Sequence, residues 1–410
     1  MTESADLAGA RAEQVARASY GRLLALLAAP TGDIALAEDA LSDAFLRALT
    51  SWPAKGIPGN PEGWLLTVAR NRQRDAYRSS ARRSSTPLDT VSLAFVDDLD
   101  LDAIPDKRLE LLFVCAHPAI DAAVRTPLML QTVLGFESRQ IASAFAIPEP
   151  AMAQRLVRAK RRIRDARIPF TVPLRQDMPA RLPAVLEAIY GAYAIDWMLV
   201  SGETVRESLS AEALYLASTL AELLENEPEA FGLAALIALS LARADARVAD
   251  GRHVPLDEQD TSRWDAALVA QGEAWLGRAH DLGRVGRFQL EAAIQSVHCA
   301  RARSGMTDWA ALQKLYEALV ALAPTLGARV SLAATIGRTD GPLAGLASLD
   351  AIEDAAVARF QPAWATSAHL LALAGRPDEA AAAYRKAASL TTDPVIREYL
   401  RNCSRSAQGS

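Results

Sequence analysis

Seven basic residues, Arg155, Arg158, Lys160, Arg161, Arg162, Arg164 and Arg167, crowd one short stretch of the chain, and within that run only Asp165 opposes them. Guanidinium groups at this density suit one kind of chemistry: they bind phosphates, and in pairs of hydrogen bonds they read base edges. The formal net charge of the whole chain is −5, so the concentration is local and asks for a local purpose. The segment around it reads IASAFAIPEPAMAQRLVRAKRRIRDAR, from Ile141 to Arg167. SRQIASAF predicts a short helix, AIP a tight connection, and EPAMAQRLVRAKRRIRDAR a second helix with Pro150 near its start. Helix, short turn and helix make a helix-turn-helix unit. Met152, Leu156, Ala159 and Ile163 share one stripe that would face a core. Gln154, Arg155, Arg158, Arg161 and Arg162 lie opposite. The first three are placed to meet base edges in a major groove, and the later ones to sit beside phosphates. A merely solvated charged helix is the plainer alternative. The apolar stripe in phase and the short helix upstream favour contact with DNA.

A second helix, PEGWLLTVARNRQRDAYR, has related chemistry. Leu65, Ala69 and Ala76 share an inward face. Trp64, Asn71, Arg74, Asp75 and Arg78 gather on the other, where rings can stack on bases and Arg can bind phosphate. Trp64 alone reads as a packing residue, and Asp75 as a partner that orients Arg78. Asn60 is the expected N-cap and Pro61 the first helical residue.

One further cluster raises the question of catalysis. DGRHVPLDEQD holds His253, Asp257, Glu258 and Asp260, but it has no second histidine at ligand spacing and no nucleophile partnered with a base. The expectation is a structural loop whose carboxylates cap helices or pair with Arg252 and Arg263. No enzymatic activity, metal or cofactor is indicated.

These elements sit in a chain of 410 residues, half of them apolar and only 6% aromatic. Ala- and Leu-rich amphipathic patterning and the absence of convincing alternation predict an all-α fold. No apolar run is long enough to span a bilayer, and the N-terminus lacks the pattern of a signal peptide. Cys115, Cys299 and Cys403 form no framework for disulfides or zinc. The expectation is a soluble protein of the cytoplasm with no membrane contact. Residues 1–176 hold 23 Lys and Arg against 20 Asp and Glu, and the remainder 21 against 29, so a basic front (+3) precedes an acidic back (−8).

Proline and glycine divide the chain into helical blocks. WPAKGIPGNP reads as a loop. SSTPLDTVSLAFVDDLDLDAIPD reads as an acidic linker, and IPFTVPLRQDMPARLP as a proline-spaced one. Beyond it, GRTDGPLAGLASL and GRPDEAAAAYRKA each pair a turn with a small-residue helix. Tyr316 and Tyr384 stand 68 residues apart, twice the 34-residue tetratricopeptide period. Stacked helix pairs of that kind present a concave surface for peptides or proteins, with a generic bundle as the alternative.

Taken together, AEDALSDAFLRAL, NPEGWLLTVARNRQRDAYR, CAHPAI and IASAFAIPEPAMAQRLVRAKRRIR resemble the extracytoplasmic-function (ECF) sigma factors of bacterial RNA polymerase. More narrowly, they resemble the subgroup with a C-terminal tetratricopeptide-like extension, to which DGRHVPLDEQDTSRWD and GRFQLEAAIQSVH would belong. The resemblance implies a sigma-2 domain over 1–83, an acidic linker over 84–106, a sigma-4 domain over 107–168, a linker over 169–182 and the helical extension over 183–403. It further implies that Asp39, Asp43 and Phe45 contact the β′ clamp of core RNA polymerase, with the β flap as a second polymerase partner. Asn60, Trp64, Arg70, Asn71, Arg74 and Arg78 would serve the −10 element, where a base is flipped from the melted strand. Ser138, Gln140, Gln154, Arg155, Arg158, Arg161 and Arg162 would serve the −35 element as duplex. The linker would thread the polymerase channel that otherwise holds nucleic acid. Two departures stand out. The motif usually read with two adjacent cysteines is VCAHPAI here, with Ala116 in the second place, so Cys115 reads as a small buried apolar residue. Pro150 in the recognition helix means that no promoter sequence can be carried over. The acidic extension would regulate the sigma domains by contact in cis, bind a signalling partner or brace the two DNA-binding domains, and the first is the favoured reading. The alternative for the whole chain is a helical-repeat adaptor with a degenerate sigma-like half.

Overall fold

Helix starts follow from local chemistry. Asp33 opens α2 (Ile34–Lys55) by accepting from the Leu36 N–H at 3.1 Å, and Asn60 opens α3 (Pro61–Arg83) by accepting from the Gly63 N–H at 2.9 Å. Gly56 ends α2 at φ 87°, a backbone conformation open to glycine, and its N–H returns to the Trp52 carbonyl. The break expected over WPAKGIPGNP is therefore shorter than its composition suggests. Trp52 is buried and anchors a last turn that tolerates Pro53, and α2 runs on to Lys55.

The computed structural model describes residues 2–83, 105–145, 147–197 and 205–408. Of the expected acidic linker, 84–104 lie outside the described residues. The fold is all-α apart from one minimal hairpin, and the chain divides into two compact units.

The first unit holds α1 (Thr2–Ala28), α2, α3, α4 (Pro105–Cys115), α5 (Ala122–Thr132), α6 (Ser138–Ala144), α7 (Glu149–Asp165) and the part of α8 (Leu182–Trp197) up to Ala192. Leu23, Leu24, Leu27, Ile34, Leu41 and Leu65 fill the core under α1–α3, and Leu109, Leu111, Leu112 and Phe113 that under α4. The two halves pack on each other, α1 against α4 and α2 against α7. Gly21 shows how closely: a Cβ there would collide with the Val133 backbone carbonyl. Cys115 is fully buried, 3.5 Å from the Thr132 hydroxyl, and burial pushes its thiol up to about 12. The proline-spaced segment after α7 lies along this unit. Met178 is buried, Arg125 donates to the Ala180 carbonyl at 3.4 Å, and Arg181 to the Phe113 carbonyl at 3.4 Å. Val185, Leu186, Ala188, Ile189 and Ala192 bury the inner face of α8.

The second unit comprises α9 (Val205–Leu223) apart from Glu207–Leu209, which group with the first, and α10 (Pro228–Leu241), α11 (Ala266–Asp281), α12 (Arg287–Cys299), α13 (Arg301–Ser304), α14 (Trp309–Leu322), α15 (Leu326–Thr339), α16 (Pro342–Asp350), α17 (Gln361–Leu373), α18 (Pro377–Leu390) and α19 (Pro394–Gln408). From α14 onward each helix packs on the next, as in a helical-repeat protein. α14, α16 and α18 start at Trp309, Pro342 and Pro377, 33 and 35 residues apart, which brackets the expected period.

Two two-residue strands, β1 (Val248–Ala249) and β2 (Arg252–His253), form the hairpin. They are too short to show alternation in sequence. Their signal is the turn pair Asp250-Gly251, both at positive φ (50° and 72°), the signature of a two-residue hairpin loop. The loop that follows is held from distant helices. Arg301 donates to the Asp257 carbonyl and, at 2.8 Å, to the Gln259 carbonyl, and Arg338 binds the Asp257 carboxylate at 2.6 Å. Trp264 is buried, with the Arg301 guanidinium 5.1 Å and the Arg243 guanidinium 6.0 Å from its ring centroid.

Candidate nucleic-acid interface

The helix-turn-helix is formed by α6 and α7, with Pro150 in the first turn of α7. Met152, Leu156, Ala159 and Ile163 are all buried. On the other side Gln154, Arg158, Arg161 and Arg162 are exposed and Arg155 is half-buried. Among the described residues, no carboxylate lies within ion-pair distance of Arg155, Arg158, Arg161 or Arg162. These guanidinium groups face solvent with their donors uncommitted to acids, as a phosphate-binding surface requires.

The remaining basic residues of the run divide differently. Lys160 is turned inward, its side chain 8% exposed, with Nζ 2.6 Å from Glu38 in α2. Burial raises the Glu38 carboxyl above its usual range, against the opposite pull of Lys160. Arg164 lies 3.8 Å from Asp33 and 2.9 Å from Asp165. Arg167 takes a left-handed conformation (φ 50°) just past the helix end, where the Ile168 N–H closes on the Ile163 carbonyl at 3.2 Å. The run is thus three sets: an outward face, a flank docked on α2, and a cap.

Ser138 is half-buried and Gln140 exposed, and both bond within the helix-turn-helix half. The Ser138 hydroxyl accepts from Gln131 Nε2 at 3.0 Å, and Gln140 Oε1 accepts from the Glu137 N–H at 2.9 Å, so both are engaged in holding α6.

On α3, Asn71 and Arg78 are exposed and Arg70, Arg74 and Trp64 half-buried. Trp64 stands edge to face on Trp52, with centroids 5.6 Å apart, which fits the packing role. Asn60 is exposed, but its Oδ1 is committed to the cap of α3. Gln73 is buried in the middle of the helix and donates to the Leu27 carbonyl of α1 at 3.2 Å. Glu62, in the first turn, binds Arg22 and Ser19 of α1. Together these two tie the rotation of α3 to α1.

Asp39 is exposed on α2, while Asp43 and Phe45 are half-buried. Asp43 is not free: its carboxylate accepts from Arg72 Nε of α3 at 2.5 Å. Beside Phe45, Leu46 (62% exposed) and Leu49 (47%) stand in solvent. Sequence reasoning passed them over, although leucines three apart beside Phe45 signal an outward apolar strip.

The loop weighed for catalysis is held in place by contacts of its own side chains. His253 packs edge to face on Tyr399 at 5.2 Å, and burial, with Arg247 nearby, lowers its pKa. Asp260 caps the turn that follows, accepting from the Ser262 hydroxyl at 2.7 Å and the Ser262 N–H at 2.9 Å, and these two bonds, the hydroxyl first, lower its pKa. Asp257 pairs with Arg338 rather than with Arg252 or Arg263, and Arg263 donates to the Val248 carbonyl at 3.2 Å. Among the described residues, no three His, Cys, Asp or Glu side chains are grouped to hold a metal ion. No described helix is long and apolar enough to cross a membrane.

Residues 15–83 match the family described as Sigma-70 region 2, and residues 181–280 a family of unknown function, DUF6596. An uncharacterized protein of Rhizobium meliloti (strain 1021) is 36% identical over 375 residues, which is 89% of this chain and 88% of the relative. The probable ECF RNA polymerase sigma factor SigI of Mycobacterium tuberculosis is 30% identical over 164 residues, 38% of this chain and 55% of its own. The probable RNA polymerase sigma factor RfaY of Xanthomonas campestris pv. campestris is 28% identical over 163 residues, 36% of this chain and 40% of its own. The likeness thus spans about half the length of these two sigma factors or less. No solved structure matches. With region 2 matched, a helix-turn-helix built behind it and a helical extension of the DUF6596 kind following, the chain belongs to the ECF sigma factors that carry a C-terminal extension.

Proposed function

We propose that this sigma factor binds core RNA polymerase in the cytoplasm, directs it to paired −35 and −10 elements and promotes strand separation. The observation that carries this reading is the split of α7. Its apolar stripe is buried, while Arg155, Arg158, Arg161 and Arg162 have no described acidic partner. In this reading the N-terminal part of α7 enters the major groove, with Gln154, Arg155 and Arg158 at base edges and Arg161 and Arg162 at phosphates. Ser138 and Gln140 position the helix rather than the DNA. On α3, Trp64, Arg70, Asn71, Arg74 and Arg78 face the −10 element, and capture of an unpaired base offsets a melting cost of a few kcal/mol. Asp39 and Phe45, extended by Leu46 and Leu49, form the surface for the β′ clamp. Asp43 orients α3 through Arg72, and the helix-turn-helix half meets the β flap. The extension modulates these activities in cis and carries no catalysis.

The test is transcription in vitro with bacterial core polymerase on the DNA upstream of this protein's own operon. The expected result is a discrete start site that depends on the full-length protein and is lost in the Arg158→Ala/Arg161→Ala double variant. A start site untouched by that variant would remove α7 from promoter recognition. Failure to co-elute with core polymerase would overturn the proposal as a whole.

A further inference from the structure

α3 is the proposed reader of the −10 element, yet the stripe that faces away from its reading side is not wholly apolar. Leu65, Leu66 and Ala69 are buried there, and a polar residue stands at either end of them. Glu62 lies in the first turn and Gln73 about three turns on, so the two share one side of the helix. Both are held by α1. Glu62 accepts from the Ser19 hydroxyl and from Arg22, and Gln73, 2% exposed, donates from Nε2 to the Leu27 carbonyl at 3.2 Å. Leu27 falls in the last turn of α1, where carbonyls run out of partners within the helix. Asn71, Arg74 and Arg78 lie on the far side of α3.

Apolar packing alone would leave one freedom open. Hydrophobic contact is non-directional, so Leu65, Leu66 and Ala69 hold α3 against the core more firmly than they fix its rotation. A hydrogen bond weakens steeply once bent. Bonds at both ends of the stripe, made to the same neighbouring helix, therefore resist turning and sliding. The effect on the far side is large. With side chains at about 6 Å from the helix axis, a rotation of about 20° carries them about 2 Å. That breaks a contact whose donor and acceptor must stand about 2.7–3.2 Å apart. A buried amide also costs desolvation that a leucine would not, so volume alone does not explain Gln73.

We propose that Gln73 is a positioning residue for the −10 element, with Glu62 as its second anchor. The pair holds α3 at the rotation that presents Asn71, Arg74 and Arg78 together to the unpaired strand. This rests on the sigma-factor reading of α3. Gln73 is buried and reaches no DNA itself; it acts through the three residues on the opposite side.

The test uses full-length protein assembled with bacterial core polymerase. The probe is fluorescent forked DNA from this protein's own promoter, its −10 region single-stranded and of either natural or scrambled sequence. The readout is the ratio of the two affinities, because a loss of folded protein or of polymerase binding lowers both alike. Gln73→Leu removes the donor at similar volume and should lower the ratio about fivefold or more, the worth of one base contact. Glu62→Ala should lower it less, since Glu62 is the more exposed anchor. Leu24→Ala removes core volume on α1 but neither anchor, and should leave the ratio unchanged. Gln73→Met takes the place of Gln73→Leu if melting shows the latter unfolded. An unchanged ratio in folded Gln73→Leu or Gln73→Met, with Asn71→Ala/Arg74→Ala lowering it, overturns the positioning role and keeps the reading of α3. An unchanged ratio in all of them removes α3 from the −10 element and the positioning role with it. A ratio lowered equally by Leu24→Ala would make Gln73 an ordinary core residue and also overturn the proposal.

Discussion

In α7, Arg158, Arg161 and Arg162 stand in solvent with no described carboxylate in reach, whereas in the second unit Arg243, Arg301 and Arg338 are spent on their own neighbours. Arg243 is buried, bonded to Gln295 and to the Leu239 carbonyl, and burial lowers its pKa. Arg301 holds the carbonyls of Asp257 and Gln259, and Arg338 the Asp257 carboxylate. The same side chain is a ligand-seeking group in one place and a scaffold in the other. A charge count by segment does not separate them. Desolvation does: a guanidinium that has exchanged water for carbonyls and rings has little left to offer a partner. Burial of Arg243 also acts on its surroundings. With Arg301 it helps hold the His298 imidazole neutral, and burial, the larger cause, takes that pKa down to about 3.

The largest expected effect breaks the scaffold side of this contrast. Trp264→Ala removes the ring on which Arg243 and Arg301 rest and should cost about 3–5 kcal/mol. Chemical denaturation would show it in the second unit, with duplex binding retained. On the ligand-seeking side, Arg158→Ala should leave the melting temperature alone and cost about 1–3 kcal/mol of promoter binding, in a sequence-dependent manner. Arg162→Ala should weaken all duplexes alike and lower the slope of log affinity against log salt by about one. Titrations at several salt concentrations separate these two outcomes. Arg167→Gly sharpens the comparison from the cap. Glycine adopts φ 50° without a side-chain clash, so the variant should gain about 0.5–1 kcal/mol in denaturation. Smallest is Arg338→Ala. The pair with Asp257 is about one-third to one-half exposed, and its loss should cost no more than about 1 kcal/mol.

What could be read in advance had a local cause. The stripe Met152, Leu156, Ala159 and Ile163, the Asn60 cap and the 34-residue period all arise from contacts a few residues apart or from a repeat, and the structure reproduces each. What escaped depends on partners far along the chain. Lys160 and Glu38 are 122 residues apart, and Arg338 and Asp257 are 81 apart. Lys160 follows Leu156 by one helical turn, so its position at the edge of the buried stripe was visible, but its acid was not. Asp43 likewise pairs with Arg72, 29 residues away on the next helix. Composition misled once, at WPAKGIPGNP, where a buried Trp52 outweighs the proline after it.

The likeness to DUF6596 begins at residue 181, but the first unit continues to Ala192, and α8 runs across that boundary to Trp197. Val185, Leu186, Ala188 and Ile189 are sealed, and Gly191 sits 3.9 Å from a Leu130 methyl by way of the Cβ it lacks. In the currency of gene fusion, the seam at which these parts could be exchanged is therefore not the place where the family likeness starts. A recombination that cut at 181 would strip the first unit of a helix it buries, and only a recipient with a matching surface would fold. Substitutions over Leu182–Ala192 answer to the core of the first unit although the family likeness counts them with the extension, which ties the inheritance of the extension to that of the sigma domains it follows.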